Sequence, residues 1–412
     1  MSRTAKDRPR TVTAAARAAS PGNTRLKLTL ALLLVLGLIT GLQQQAQAEV
    51  FESEHHSFRI VTVVDGLEHP WGMTFLPNGD MLVTERPGRL RLVQDGQLID
   101  EPLGGVPEVR TGGQGGLLDV ALHPEFANNR LVYLSYAKPN ANGSEGTTAV
   151  ARGRLEGHAL HDVEVIFEAE AWTSGRGHHG SRLAFDHDGY LFATIGDRQA
   201  SPMGDVEAHP SQDNSNHYGT TVRLYDDGRI PADNPFVDDP AVLDSIWSYG
   251  HRNQQGMAVH PQTGALWQNE HGPAGGDELN LIKPGLNYGW PVIGYGVQYR
   301  SAEQIHEHTE RDGMEQPVHH WTPSIATSGL MIYDGDQFPM WHGSIFNGGM
   351  SGNHQMLSRV SVSGDQVSNE EMLLRGELRI RDVRQGPDGF IYLAVDDRGG
   401  ALTPIVRLEP VD

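Results

Sequence analysis

One short pattern recurs along almost the whole chain: a few apolar residues, a tight turn rich in Pro, Asp, Asn and Gly, and more apolar residues. Clear copies lie at 73–83, 183–192, 257–267 and 383–392, a looser copy lies at 120–133, and a degenerate copy lies near 341–346. Each copy predicts two strands joined by a tight turn, in which glycine supplies the positive φ that such turns need.

Six units of roughly 60 residues match the size of four-stranded blades, so we predict an all-β chain folded as a six-bladed β-propeller. A two-sheet sandwich would also contain hairpins, but it does not explain a repeat that spans the chain. The 49 glycines and 24 prolines agree with a turn-rich β protein and disfavour long helices.

Residues 1–48 are predicted to be a secretory signal peptide. A basic segment precedes an apolar run at 28–42, which is too short to span a bilayer comfortably, and Ala46-Gln47-Ala48 follows it. An uncleaved membrane anchor is the alternative. Cleavage after Ala48 would leave 49–412 as one propeller domain in the periplasm or outside the cell, with no stable membrane anchor.

The composition excludes several kinds of site. The chain has no cysteine, so disulfides, thiolate metal sites and cysteine nucleophiles are ruled out. Its net charge of −20 argues against a nucleic-acid partner, whose phosphates would be repelled. Beyond residue 48 the lysines are Lys138 and Lys283, so an anion-binding site must rely on Arg, His or backbone N–H groups.

Polar, glycine-rich segments precede several of the predicted hairpins, at 110–116, 176–182, 250–256 and 379–382. In a propeller, residues that lead into the innermost strands surround the central axis, so these segments are expected to converge. His178 and His179 stand beside glycines and could supply a general base, although a surface pair or an adventitious metal site is the alternative. Arg252, beside Asn253, could grip an anionic ligand or form a structural salt bridge.

Two further features indicate charged ligands. Gly272-Pro273 bends the chain and turns backbone carbonyl groups outward, which suits a hard cation such as Ca²⁺, or else forms an acidic surface turn. Arg379 and Arg381 lie two residues apart in a predicted strand and therefore share a face. They indicate a polyanionic ligand, or else they pair with nearby carboxylates such as Asp382.

Taken together, the segments at 114–124, 178–182, 227–236, 250–256, 270–291 and 379–383 resemble the soluble quinoprotein glucose dehydrogenase and aldose sugar dehydrogenase family. The resemblance covers nearly all of 49–412 and implies a six-bladed propeller that uses pyrroloquinoline quinone (PQQ) and Ca²⁺. It implies that an aldose substrate is oxidised at its anomeric carbon to a lactone. The hydride passes to the quinone, and the electrons then pass to an acceptor of unidentified chemistry.

The resemblance also implies a role for each matching position. His178 matches the base that takes the proton of the anomeric hydroxyl, with His179 as the alternative register. Arg252 would steady the developing oxyanion, and Gln114 would contact the substrate. The implied cofactor contacts are Asn253, Gln255, Arg379 and Arg381. The implied calcium ligands are the carbonyl oxygens of Gly272 and Pro273, with Asp277 behind them.

Two positions depart from the family pattern. Ser351 stands where the glucose dehydrogenases have a lysine against the quinone. The resemblance therefore implies either that the cofactor binds more weakly here or that Arg379 and Arg381 take over the role of that lysine. Gly177 replaces an aspartate before the base, so a preference for glucose does not follow.

Two other functions fit a propeller of this kind: a calcium-dependent lactonase-type hydrolase, and a non-catalytic propeller that binds a sugar or a protein.

Overall fold

The computed structural model describes residues 49–411, and the predicted signal peptide lies outside them. These residues form six antiparallel sheets, five of four strands and one of five. The first strand of each sheet contacts the first strands of the two neighbouring sheets, and these contacts close a ring. The prediction of an all-β, six-bladed propeller is therefore confirmed.

The strands follow chain order within each blade. Blade 1 contains β3 (Pro70–Phe75), β4 (Met81–Glu85), β5 (Arg89–Gln94) and β6 (Gln97–Leu98). Blade 2 contains β7 (Leu117–Leu122), β8 (Leu131–Pro139), β9 (Gly146–Glu156) and β10 (Ala159–Glu168). Blade 3 contains β11 (Leu183–Phe185), β12 (Leu191–Ile195), β13 (Thr220–Leu224) and β14 (Ile246–Ser248).

The remaining blades repeat this order, except at the closing point. Blade 4 contains β15 (Gln254–Val259), β16 (Leu266–Glu270), β17 (Asp277–Ile282) and β18 (His319–Trp321). Blade 5 contains β19 (Thr327–Ile332), β20 (Ile345–Gly349), β21 (Met356–Ser363) and β22 (Gln366–Leu373). Blade 6 contains β23 (Ile380–Gln385), β24 (Ile391–Val395), β25 (Leu402–Val411), β2 (Ser57–Glu68) and β1 (Val50–Glu52).

Blade 6 joins the two ends of the described chain. Strand β2 pairs antiparallel with β25, from Ser57 opposite Val411 to Glu68 opposite Leu402. Backbone hydrogen bonds between distant parts of the sequence thus close the ring, and β1 adds an outer strand to the same blade.

Helix is scarce among residues 49–411. There is one short α-helix, α1 (Phe126–Asn129), and three single turns of 3₁₀-helix at Val206–Ala208, Pro210–Gln212 and Pro339–Trp341. None of the helices described is long and apolar enough to cross a membrane.

The hydrophobic core lies between neighbouring blades. The second strand is buried along its whole length in blades 1, 3, 4, 5 and 6, because both faces of each sheet pack against adjacent sheets. Between blades 1 and 2, for example, Leu82 and Leu90 pack with Leu117 and Val132. Burial on both faces explains why β12 and β24 are nearly continuous apolar runs in the sequence.

A buried ion network, which we call the central arginine network, links three blades across the axis. It consists of Arg182, Asp119, Asp382 and Arg384. Arg182 is fully buried, and its Nη1 lies 3.0 Å from Oδ1 of both Asp119 and Asp382. Asp119 and Asp382 together therefore neutralise Arg182 and Arg384, and Arg381 is not part of this network.

Candidate active site

A cavity of about 480 Å³, which we call the central cavity, lies where the six blades meet. Every blade contributes to its wall: Trp71 and Arg86, Gln114 and Leu118, His179 and Gly180, Gln255 and His271, Ala326 and Ser351, Arg379 and Arg381, in order of blade. The polar, glycine-rich segments that precede the hairpins therefore converge on this cavity, as the sequence predicted.

The central cavity is strongly cationic. Arg86, Arg379, Arg381 and Arg398 line it, and no Asp or Glu of the described residues does. In a chain with a net charge of −20, such a wall is suited to a ligand that carries several negative charges.

Arg381 lies in this wall without a carboxylate partner in the described part of the chain. Its Nη1 donates to Oε1 of Gln255 at 3.0 Å, and its guanidinium lies 5.7 Å from the Trp71 ring centroid. Among residues 49–411 it forms no salt bridge, whereas Arg379 pairs with Asp396. Burial, helped by the neighbouring Arg379 and Arg86, lowers the pKa of Arg381 to about 9, so a bound anion would relieve an unfavourable charge.

A second cavity of about 340 Å³, the side cavity, adjoins the first. It is lined by Gln114, His178, Asp197, Gln199, Arg252 and Trp290, with smaller contributions from neighbouring loops. Gln114, Pro273 and Tyr299 border both cavities, so a ligand in one would face a ligand in the other.

His178 and Asp197 form a buried dyad at the side cavity. Nδ1 of His178 lies 2.6 Å from Oδ1 of Asp197, which also accepts the N–H of Gln199, and Oδ2 of Asp197 accepts the indole N–H of Trp290 at 2.8 Å. The carboxylate therefore holds the proton on Nδ1 and leaves Nε2 of His178 free to accept one.

The electrostatics of the dyad favour a neutral imidazole beside a carboxylate. Burial lowers the pKa of His178, and Asp197 only partly opposes it. Burial alone would raise the pKa of Asp197, but the charges of His178 and Arg252 outweigh it and the pKa is lowered. A neutral histidine oriented by a carboxylate is the arrangement of a general base.

Arg252 lies beside the dyad without a carboxylate of its own. Its Nη1 donates to the carbonyl oxygens of His271 and Gly272 at 3.0 and 2.8 Å, and its guanidinium lies 5.1 Å from the Trp290 ring centroid. The remaining charge can meet an oxygen of a ligand in the side cavity.

The other predicted residues occupy supporting positions. Gln114 accepts the backbone N–H of His178 through Oε1 at 2.7 Å, which ties the two together. Asn253 does not line either cavity; its Oδ1 accepts from Gly180 N at 3.1 Å and from Nε2 of Gln255 at 3.1 Å. Asn253 therefore fixes its neighbours, and Gln255 reaches the cavity wall.

Of the predicted calcium ligands, Pro273 borders the central cavity, but the protein supplies few oxygens there. The Gly272 carbonyl accepts from Arg252, and Oδ1 of Asp277 accepts from Gly272 N and Ser324 Oγ. No group of three or more His, Asp or Glu side chains among residues 49–411 could hold a metal. Since Ca²⁺ takes six to eight oxygens, these residues would need oxygens from a cofactor and from water to complete a site.

Several site residues were missed by the sequence analysis, and most share one position. Asp197, Arg86, His271 and Arg398 each follow the second strand of a blade, and all line a cavity. The end of that strand lies beside the start of the first strand, because the two are antiparallel. Polar residues just after each predicted hairpin are therefore the signal that could have identified these four site residues.

Comparison with known proteins agrees with the fold. The family model described as "Glucose / Sorbosone dehydrogenase" matches residues 67–404. The aldose sugar dehydrogenase YliI of Escherichia coli (strain K12) is 44% identical over 348 residues, which is 83% of this chain and 91% of that protein.

Two solved structures extend this comparison. The apo-form of the soluble aldose sugar dehydrogenase from Escherichia coli has a TM-score of 0.79 and 40% identity, over 86% of this chain and 100% of that one. The PQQ-bound form of aldose sugar dehydrogenase from Streptomyces coelicolor has a TM-score of 0.68 and 30% identity, over 86% of this chain and 98% of that one.

Proposed function

The chain belongs to the glucose/sorbosone dehydrogenase family, and from this we propose that it is a PQQ- and Ca²⁺-dependent dehydrogenase that oxidises aldose sugars at the anomeric carbon to lactones. The observation that carries the proposal is the pairing of two cavities. One has four arginines and no carboxylate in its wall, and the other holds the His178–Asp197 dyad.

The central cavity is suited to PQQ, which carries several carboxylates. Arg381 is a partly buried cation without a carboxylate partner, and Arg86, Arg379 and Arg398 add charge around it. Ser351, at the departure from the family lysine, also lines this cavity. Four arginines can supply the positive charge that one lysine would have given.

In the proposed reaction, the chain's own residues orient the sugar and handle the proton. Nε2 of His178 accepts the proton of the anomeric hydroxyl, and Asp197 stabilises the resulting imidazolium. Arg252 holds the substrate oxygen as negative charge develops on it, while Gln114 keeps the backbone of His178 in place. PQQ, when bound, accepts the hydride that leaves the anomeric carbon.

The calcium part of the proposal depends on the family resemblance and on two backbone carbonyls, those of Gly272 and Pro273. They would hold the ion together with cofactor oxygens and water, and no step of the mechanism above is assigned to it. If calcium completes the site, then PQQ binding by the apoprotein should depend on added Ca²⁺ and should be abolished by a chelator.

Adding PQQ and Ca²⁺ to the purified protein and measuring dye reduction with aldoses tests the function. We expect reduction by aldoses, with loss of turnover in His178→Ala and retention of quinone absorbance. A holoprotein that reduces no dye with any aldose would favour a non-catalytic binding propeller. Cleavage of lactones without any quinone absorbance would favour a hydrolase and overturn the proposal.

We also propose that residues 1–48 direct export and are removed after Ala48, which places the enzyme in the periplasm or outside the cell. The proposed partners are an aldose and an electron acceptor of unidentified chemistry. N-terminal sequencing of the protein recovered from the periplasm should begin at Glu49. A start at Met1 in membrane fractions would support an uncleaved anchor instead.

A further inference from the structure

The adjacent histidines His178 and His179 face different cavities. The backbone of His178 has φ of 45°, in the left-handed region, and the chain is left-handed again at Gly180 and Ser181 but not at His179. This local winding sends the His178 ring to the side cavity and the His179 ring to the central cavity. His179 is therefore placed with the arginines rather than with the proposed base.

The backbone of His179 is firmly held. Its carbonyl oxygen accepts from the hydroxyls of Thr148 at 2.8 Å and of Ser181 at 3.3 Å. The N–H of the next residue, Gly180, donates to Oδ1 of Asn253 at 3.1 Å. Because the backbone is fixed on both sides, the ring has a set position at the cavity wall.

The ring itself has little to bond to in the protein. Only 4% of His179 is exposed, and its one polar contact among the described residues joins Nδ1 to Thr148 Oγ1 at 3.5 Å, the limit for a hydrogen bond. The Thr148 hydroxyl already donates to the His179 carbonyl. Buried polar groups in native proteins are nearly always paired, so a ring nitrogen left almost free at a cavity indicates a partner that binds there.

The residues around His179 leave space for its ring and keep the ring neutral. A β-carbon on Gly115 would lie 3.0 Å from Nε2 of His179, so a glycine at that position leaves room for the ring. Burial, together with Arg198 and Arg110, lowers the pKa of His179 well below its ordinary value of 6.5. The imidazole is thus neutral and carries one N–H. Because the contact of Nδ1 with Thr148 is at the limit for a hydrogen bond, that proton can lie on Nε2 and be donated to a ligand.

We propose that His179 is a cofactor-binding residue, which donates a hydrogen bond to an oxygen of the quinone bound in the central cavity while His178 serves the substrate. The inference rests on the proposed function, since the cofactor class comes from there. The proposal gives the two neighbouring histidines different roles, with His178 acting on the substrate and His179 binding the cofactor.

Equilibrium titration of the apoprotein with PQQ in the presence of Ca²⁺, followed by quinone absorbance and without any sugar, tests this assignment. We expect His179→Leu and His179→Phe to weaken PQQ binding about tenfold, as for a lost hydrogen bond that leaves its buried partner unpaired. His179→Gln, which keeps a side-chain N–H, should bind within about threefold of the natural protein. His178→Gln is the matched control and should also bind within about threefold, because its ring faces the other cavity.

The outcomes separate the two proposals. PQQ binding by the natural protein together with equal binding by His179→Leu and His179→Phe would overturn the role of His179 and leave the proposed function standing. Failure of the natural protein to bind PQQ would overturn both. Equal weakening by His178→Gln would contradict the division between the histidines. Thermal unfolding of each apoprotein identifies a variant that does not fold. If His179→Leu and His179→Phe both fail to fold, the absorbance band of the quinone bound to His179→Gln is compared with that of the natural protein. A shifted band supports the contact with His179, and an unshifted band contradicts it.

Discussion

Oδ1 of Asp197 lies 2.6 Å from Nδ1 of His178, and the two residues come from opposite ends of one hairpin, before β11 and after β12. The blade hairpin thus builds the dyad directly. Its carboxylate receives a second and a third hydrogen bond from Gln199 and Trp290, so the imidazole is held in a single orientation.

Asp197→Asn should lower kcat by about 100-fold or more, because the amide no longer enforces the tautomer that leaves Nε2 free. The acid limb of the pH profile of kcat/KM should move to lower pH, since Asp197 is what opposes the lowering of the His178 pKa by burial. Steady-state dye reduction measures both effects. PQQ binding should stay unchanged, and an unshifted limb with full activity would contradict the role of Asp197.

Arg381→Ala should weaken PQQ binding by about 10- to 100-fold, the loss expected for a charge-assisted hydrogen bond. The apoprotein should be as stable as the natural protein or slightly more so, because a partly buried cation without a carboxylate partner is removed. Titration with PQQ and thermal unfolding measure the two effects. Arg375→Ala is the matched control: this exposed arginine lies outside the central cavity, and its loss should leave PQQ binding unchanged.

Gly177 and Gln199 compete for one space in the side cavity. A β-carbon at position 177 would overlap the amide of Gln199, whereas the backbone of Gly177 is not left-handed and accepts a side chain. Gly177→Asp alone should therefore displace Gln199 and lower kcat/KM for aldoses. Adding Gln199→Ala should recover part of the loss, with a coupling energy of about 0.5–3 kcal/mol in the double-mutant cycle.

The same cycle with Gly175→Asp supplies the control. The space around Gly175 is open to a β-carbon, with the nearest atom, the Arg198 carbonyl oxygen, 3.4 Å away. Its effect should add to that of Gln199→Ala without coupling. Additive effects in both cycles would mean that positions 177 and 199 do not share one space.

His217 should make the fold sensitive to acid. Nδ1 of its buried ring accepts the N–H of Glu170 at 2.8 Å, and burial lowers its pKa from 6.5 to about 4. The unfolded chain therefore takes up a proton at higher pH than the folded chain. The stability that His217 confers is complete above about pH 6.5 and is lost as the pH falls to about 4, by roughly 3 kcal/mol in all.

Denaturant unfolding between pH 4 and 7 measures this dependence. His217→Gln should reduce the slope of unfolding free energy against pH by about one proton in that range. His161→Gln, at an exposed position on β10, controls for the loss of a histidine as such. If His217→Gln keeps the slope of the natural protein, then another group is responsible for the acid sensitivity.

The sequence predicted the hairpins well because each depends on a local requirement. Gly79, Gly189, Gly264 and Gly389 all have positive φ, and each follows an apolar strand at the predicted turn. The degenerate copy near 341–346 proved to be the turn and second strand of blade 5, where a longer loop with a 3₁₀ turn replaces the short one. The pairing of β2 with β25 could not be predicted in this way, since it joins residues more than 300 positions apart.

For the site, the sequence favoured residues before first strands and overlooked those after second strands. Arg379 and Arg381 both line the central cavity, and Arg379 is also paired with Asp396. The pairing alternative therefore applies to Arg379, and an anionic ligand for Arg381 stays a prediction. The assignment of His178 against His179 depended on which cavity each ring enters. The cavity that each ring enters depends on the left-handed backbone of His178, and the repeat pattern in the sequence gives no sign of this conformation.

The closure of blade 6 has a consequence for how the protein becomes competent to bind its ligand. The blade that carries Arg379 and Arg381 is completed only when β2, from the beginning of the described chain, docks on β25, from its end. The blade behind this part of the cationic wall is therefore complete only when the two ends of the described chain have paired. A chain in which this pairing has not formed, however many blades it has folded, would lack the complete blade behind the wall that the proposed anionic ligand requires.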